Sequence, residues 1–284
     1  MIDRLNFYDL YGYLIPGVTL LMIAGLPFVV LGQSFPVALP QGEIASAILV
    51  VVLAYIAGYF VQSMATNAVP SSFGGQYPSS RVLDATDHTF SPELKARIQQ
   101  KAQTDFGLDL EAGSDASAAV ANVRRDGFFC ARAAIGHAGT GAYAEQFEGL
   151  YSMMRGLAVT FGFGLFYMAG WGVSNLQAPG ISTAAEALIA VAGATMIGFA
   201  IVRFRQHVDS PKRTIVDGIS LLAIAVAFWS AGVLSGLVAA AGDRLPLLWI
   251  IAGLYTVAML RFYVSYKYFA AQFAQCVWRT YAAD

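Results

Sequence analysis

Six apolar stretches, each about as long as a membrane-crossing helix, constrain this chain more than any other feature. A helix needs about 20 mostly apolar residues to cross the hydrocarbon core of a bilayer. Charged residues make up 12% of the chain, whereas a soluble domain contains roughly 25%. The sequence therefore predicts an all-α fold, a polytopic membrane helical bundle. The six predicted spans are residues 13–32, 44–63, 156–174, 184–202, 215–238 and 245–264.

The positive charges predict how these spans are oriented. The chain has 17 Lys and Arg residues, and all but Arg244 lie on the same side of the predicted spans. Cytoplasmic loops carry the excess of Lys and Arg in membrane proteins. We therefore expect three hairpins with both termini in the cytoplasm. Arg261 lies inside the sixth apolar stretch, and its long side chain can reach the inner interface.

The predicted spans divide the chain into four segments. Residues 1–63 are expected to contain an interfacial N-terminal helix and the first membrane hairpin. Residues 64–153 form the only long polar segment, which predicts a small cytosolic helical insertion. Residues 154–264 are expected to form the second and third hairpins. Residues 265–284 are expected to form a cytosolic C-terminal helix, whose apolar face would consist of Phe269, Phe273, Cys276, Val277 and Trp278.

Local signals predict three helices within the insertion. Residues 91–93, Ser-Pro-Glu, have the features of a helix start: a capping serine, a proline at the first position and an acid in the first turn. That helix should end at Gly107. A second helix should run from near Asp115 to Gly139. A third should begin near Ala142 and continue into the third span as one rod, because no helix breaker separates them.

Small residues recur at four-residue spacing within the fourth and fifth predicted spans. Such faces let helix backbones approach closely, which favours helix association in lipid. The spacing suits packing within one subunit or an interface between subunits, and both interpretations stay open. The residues are Ala190, Ala194 and Gly198 in the fourth span, and Ala223, Ala227, Ala231 and Ser235 in the fifth.

A six-residue segment from Arg132 to His137 resembles the Arg-x4–6-His signature of HEPN ribonucleases. In that helical family the two residues act on the RNA phosphate, so the resemblance implies Arg132 and His137 as catalytic candidates. The charge of the insertion argues against this function, because residues 64–153 contain seven basic and ten acidic residues, a net charge of −3. Such a surface is poorly suited to bind RNA. We therefore do not expect nucleic acid as a partner.

No pattern in the sequence indicates a metal or a cofactor. The three histidines lie on separate segments, and no Cys/His spacing of a zinc site occurs. Cys130 and Cys276 both fall on the predicted cytosolic side, where we expect free thiols. We expect no cofactor.

Seven basic residues are candidates for contact with an anionic ligand or a lipid headgroup. The alternative for those in the insertion is a solvated basic edge, and the alternative for the others is a role in setting topology. The residues are Arg124, Arg125 and Arg132 in the insertion, and Arg203, Arg205, Lys212 and Arg213 in the loop after the fourth span.

The opening segment, residues 7–17 (FYDLYGYLIPG), resembles the start of uncharacterised bacterial multi-spanning membrane proteins. Some of these lie beside phage-defence genes and are taken to be effectors that disrupt membranes. The resemblance implies the bacterial inner membrane as the location and antiviral defence as a context. It implies no functional residue.

Two functions from different classes remain open. The first is an oligomeric channel, pore or membrane-permeability effector that is controlled through the cytosolic insertion. The alternative is a non-catalytic membrane scaffold or subunit that docks a cytosolic partner. The expected partners are the lipid bilayer, other copies of the chain, and a cytosolic protein or small signalling ligand. A proton-coupled carrier is disfavoured, because the predicted spans carry no ionisable residue near their middle.

Overall fold

The computed structural model of the chain describes residues 9–31, 42–69, 77–110, 118–174 and 245–284. Within these ranges the structure contains helices and connecting segments but no strand, which confirms the all-α prediction for this part of the chain. The fourth and fifth predicted spans, and most of the interfacial helix expected at residues 2–10, lie outside the described residues. The helices are α1 (Ile15–Leu31), α2 (Glu43–Ala68), α3 (Pro78–Arg81), α4 (Pro92–Phe106), α5 (Ala118–His137), α6 (Ala142–Ser174) and α7 (Leu245–Ala283), and a π-helical turn (Asp9–Leu14) precedes α1.

Three of the described segments are long and apolar enough to cross a membrane. They are Asp9–Val30, Glu43–Thr66 and Leu247–Ala283. These segments contain most of the first, second and sixth predicted spans, so the chain has helices able to cross a bilayer. The third predicted span, residues 156–174, is helical throughout and belongs to α6.

The chain divides into two compact units. Unit 1 comprises Met1–Leu10, Pro70–Ser152 and Ser265–Asp284, and unit 2 comprises Tyr11–Val69 and Met153–Val264. Two helices contribute to both units without a break, the 33-residue α6 and the 39-residue α7. The C-terminal segment that the sequence presents as a helix of its own is therefore the second half of α7.

In unit 2, α1 and α2 approach each other at the level of their backbones. A Cβ atom added to Gly17 would overlap the carbonyl of Ala54, and one added to Gly58 would overlap the carbonyl of Tyr13. The Tyr13 ring also stacks on that of Tyr59, with the centroids 5.9 Å apart. Two glycines thus permit a contact that any larger residue would prevent.

A second contact in unit 2 joins α1, α6 and α7 through apolar side chains. Ile23 of α1 packs with Leu165 and Met168 of α6 and with Leu248 of α7, and all four are buried. Gly164 allows the approach, because a Cβ atom there would lie 2.8 Å from the Tyr255 ring. This contact places part of the third predicted span against the first and the sixth.

Unit 1 is built around the C-terminal part of α7. Trp278 is completely buried, and its indole Nε1 donates a hydrogen bond to the Ser79 carbonyl at 2.9 Å. Phe128 of α5 meets the Trp278 ring edge to face at 5.8 Å. Tyr281, one turn further on, stacks on Phe106 of α4 at 5.6 Å. The apolar face predicted for the C-terminal segment is confirmed and forms the core of unit 1.

The capping signals of the insertion operate as predicted. The Ser91 hydroxyl accepts a hydrogen bond from the Leu94 amide at 3.3 Å at the start of α4, and Gly107 ends the helix with a left-handed φ of 67°. Gly139, with a φ of 72°, follows the end of α5. Helix α6 begins at Ala142 and continues unbroken for 33 residues, which confirms the predicted continuous helix. At the rise of an α-helix its length is about 50 Å.

Candidate functional site

A cleft opens in unit 1 at the elbow between α5 and α6. The turn at Gly139 folds α6 back against α5, and small residues on both helices leave space between them. The cleft has a volume of about 310 Å³, at the lower end of the roughly 300–1,000 Å³ typical of small-ligand sites. Its lining includes Phe129, Arg132, Gly136, Gly141, Ala144 and Glu145.

Arg132 lines this cleft as one half of an ion pair. Its Nη2 lies 2.5 Å from Oε2 of Glu148, and its guanidinium lies over the Phe273 ring with 5.8 Å to the centroid. The Arg132 side chain is 43% exposed, whereas that of Glu148 is 14% exposed. Arg132 therefore keeps donors free toward solvent while Glu148 partly neutralises its charge.

Replacing Glu148 with glutamine should reduce the pH dependence of unit 1 stability. Burial raises the pKa of Glu148 above its ordinary value, and the lowering effect of Arg132 does not overcome it. The carboxyl of the unfolded chain therefore ionises first, so the folded state loses stability as pH rises from the ordinary pKa to the raised one. Thermal unfolding between about pH 4 and pH 7 should show this loss in the wild type and less of it in Glu148→Gln.

Gln146→Ala is the matched control for this measurement. Gln146 is exposed, has no titratable group and lies on the same helix as Glu148. Its replacement should leave the slope of unfolding temperature against pH as it is in the wild type. Equal slopes for the wild type and Glu148→Gln would contradict the assignment.

The second catalytic candidate does not join Arg132 in the cleft. His137 is exposed at the last residue of α5 and is absent from the cleft lining. The ion pair with Glu148 also occupies the Arg132 side chain on the side of α6. The structure therefore does not bring Arg132 and His137 together as the HEPN resemblance implies.

Two further arginines that were candidates for anion contact have different surroundings. The Arg124 side chain is 13% exposed, its Nε donates to the Leu110 carbonyl at 3.0 Å, and its Nη1 forms an ion pair with Asp84. Arg124 therefore ties α5 to two preceding segments of unit 1. Arg125 is exposed and lies over the rings of Tyr77 and Phe129, at 5.2 and 5.8 Å. It remains accessible beside the cleft.

The other predicted site residues cannot be placed in this way. All of them lie outside the described residues. They are the basic residues Arg203, Arg205, Lys212 and Arg213, and the small residues Ala190, Ala194, Gly198, Ala223, Ala227, Ala231 and Ser235.

Unit 2 contains a buried polar cluster that the sequence patterns do not indicate. Pro16 has no amide hydrogen, so it cannot donate the usual helical bond to the Gly12 carbonyl. The side-chain Nε2 of Gln62 donates to that carbonyl instead, at 2.7 Å. Arg155 Nη2 in turn donates to Gln62 Oε1 at 3.4 Å. Gln62 is 5% exposed and Arg155 is 9% exposed.

The sequence contains a signal for this buried polar cluster. Gln62 is the only amide side chain within the apolar stretch 44–63, and Arg155 immediately precedes the third predicted span. Polar residues at such positions are costly and are often functional in membrane proteins. The position of Arg155 among the positive charges indicates topology and does not reveal that its side chain is buried.

In the part of the chain that the structure describes, no group of three or more His, Cys, Asp or Glu residues could hold a metal ion. Comparisons with protein-family models, with curated proteins and with solved structures find no match to this chain.

Proposed function

We propose that the chain is a multi-spanning protein of the bacterial inner membrane that forms an oligomeric channel, pore or permeability effector. Its unit 1, on the cytoplasmic side, would receive a cytosolic partner or small signalling ligand. The observation that carries this proposal is the continuity of α7. One 39-residue helix supplies an apolar membrane segment and, through Trp278, the core of unit 1.

This continuity supports a coupling between the two units. A ligand that alters the packing around Trp278 would act on the same helix that contains the sixth predicted span. The cleft between α5 and α6 is the proposed receiving site, since α6 also continues from unit 1 into unit 2. Rigid helices of this kind can transmit a change between two discrete packings.

The buried polar cluster supports the proposed orientation with both termini in the cytoplasm. Gly12, Gln62 and Arg155 lie at those ends of the first three predicted spans that the distribution of positive charge assigns to the cytoplasm. Hydrogen bonds join the three residues in unit 2. Ends assigned to one side of the membrane are thus in contact, which agrees with the proposed orientation.

Exposed aromatic residues on unit 1 favour the alternative of a scaffold that docks a cytosolic protein. Phe129 is 49% exposed, Tyr143 73% and Tyr268 59%. Exposed apolar side chains of this size are common at protein–protein interfaces. A scaffold would need no pore and would form a fixed complex with its partner.

The subunit count and membrane permeability together distinguish these two functions. Native mass spectrometry of the purified protein should show a ring of four or more copies if the spans enclose a conduit. Liposomes that contain the protein should then release an entrapped small dye, while liposomes with a denatured sample should not. A monomer or dimer in tight liposomes would exclude the channel, and a one-to-one complex with a soluble protein would establish the scaffold.

A further inference from the structure

Arg155 carries a charge in unit 2 that its described neighbours do not balance. A guanidinium stays protonated in proteins and presents five N–H donors. Arg155 is 9% exposed, and within the described part of the chain it donates one hydrogen bond, to the neutral amide of Gln62 at 3.4 Å. Its Nε is covered and meets no hydrogen-bond partner among the described residues. No carboxylate among the described residues lies within ion-pair distance of it.

A buried charge in this state requires an opposite charge. An isolated ion loses its hydration on burial, and the loss costs several kcal/mol, by rough estimate, unless another charge compensates. An arginine cannot escape this cost by releasing its proton. The hydrogen bond to Gln62 orients the guanidinium but adds no negative charge. Among the described residues nothing else takes the remaining donors of Arg155, which leaves them available to an anion.

The surroundings of Arg155 hold its side chain in place. Gln62 is anchored on its other side by the bond from Nε2 to the Gly12 carbonyl, at 2.7 Å. Gly156 allows Gln62 to lie close, because a Cβ atom there would be 2.9 Å from Nε2 and 2.9 Å from Cγ of Pro16. A guanidinium fixed in this way can offer two parallel N–H groups to one oxyanion.

We propose that Arg155, positioned by Gln62, binds a phosphate oxyanion, supplied by an anionic phospholipid headgroup or by free inorganic phosphate. The fork of a guanidinium matches two oxygens of a phosphate group. Arg155 also lies at the predicted cytoplasmic end of the third span, where lipid phosphates are concentrated. The site serves a channel and a scaffold equally, so it stands apart from the choice between these functions.

The test measures the unfolding temperature of the wild-type protein in neutral detergent, followed by tryptophan fluorescence. One series adds phosphatidylglycerol and, for comparison, a neutral glycolipid that lacks phosphate. A second series adds sodium phosphate against sodium chloride at the same ionic strength. Stabilisation by phosphatidylglycerol alone identifies a lipid site, and stabilisation by inorganic phosphate identifies a soluble ligand. Native mass spectrometry should detect the retained lipid or phosphate.

Variants connect any effect to Arg155. Arg155→Gln should abolish the stabilisation, and Arg155→Lys should weaken binding about tenfold, because it keeps the charge but loses the bidentate geometry. Arg261→Gln is the matched control, since Arg261 is an exposed arginine of unit 2, and it should respond like the wild type.

Two results would overturn the proposal. The first is that neither phosphatidylglycerol nor inorganic phosphate stabilises the wild-type protein. This result does not depend on whether any variant folds. The second is equal stabilisation of Arg155→Gln and the wild type, which would place the anion elsewhere.

Discussion

Replacing Trp278 with alanine should unfold unit 1. The side chain is completely buried, and truncation of such a residue costs about 3–5 kcal/mol. The Ser79 carbonyl would also lose its donor, which adds about 1–3 kcal/mol if no water replaces it. These losses approach the roughly 5–15 kcal/mol that stabilise a typical domain. Limited trypsin digestion should therefore cleave the Trp278→Ala variant at the basic residues of unit 1 at low protease concentration.

Tyr268→Ala is the control for this experiment. Tyr268 lies on the same helix and in the same unit, but it is 59% exposed. Its replacement should change stability by no more than about 0.5 kcal/mol, as is usual for a surface site. Similar protease resistance in Trp278→Ala and the wild type would show that α7 is not the core of unit 1.

The channel proposal adds a functional consequence to the same substitution. If unit 1 controls the membrane segment through α7, Trp278→Ala should alter permeability in liposomes. Tyr268→Ala should leave it as it is in the wild type. A change in protease sensitivity without any change in permeability would separate the stability of unit 1 from control of the membrane and would favour the scaffold.

Local chemistry accounts for the parts of the fold that the sequence predicted well. Ser91 and Gly107 delimit α4 because capping and left-handed conformations depend on single residues and their immediate neighbours. The α6 rod follows because no proline interrupts the sequence between Ala142 and Ser174. The buried face around Trp278 follows from helical periodicity.

Contacts between distant segments explain what the sequence did not predict. The hydrogen bond between Arg155 and Gln62 joins residues that are 93 positions apart, and no local pattern pairs them. The ion pair between Arg124 and Asp84 spans 40 positions, so an arginine chosen as a possible ligand contact belongs to the fold. Exposure and partners of charged residues depend on tertiary structure, and charge spacing alone does not reveal them.

Close helix packing through small residues also depends on contacts between distant segments. Repeats at four-residue spacing occur in the fourth and fifth predicted spans, whereas the backbone contact in the described structure uses Gly17 and Gly58 on the first two helices. Gly17 faces the Ala54 carbonyl of α2, and Gly58 faces the Tyr13 carbonyl in the turn before α1. One glycine on each side is enough for such a crossing, so no repeat marks it in the sequence.

The substitution Gly58→Ala should therefore disrupt the packing of α1 against α2. Alanine is favoured over glycine in a helix interior by about 1 kcal/mol, so the same change at an uncrowded site would stabilise the protein. At position 58 the added methyl group would overlap the Tyr13 carbonyl, and backbone atoms cannot move aside as a side-chain tip can. We expect a net loss of about 3 kcal/mol or more, because overpacking typically costs 1–3 kcal/mol even among mobile side chains.

The control Gly170→Ala makes the sign of the effect decisive. Gly170 lies within α6, and in the part of the chain that the structure describes a Cβ atom there would meet nothing within 4 Å. Thermal unfolding in detergent should therefore show a higher midpoint for Gly170→Ala and a lower one for Gly58→Ala, although the chemical change is identical. Two shifts in the same upward direction would mean that helix propensity dominates at both positions, and the close crossing of α1 and α2 would have to be abandoned. Opposite shifts would support the close crossing of α1 and α2, next to the Gly12 carbonyl that accepts the hydrogen bond of Gln62 and thereby helps to position Arg155.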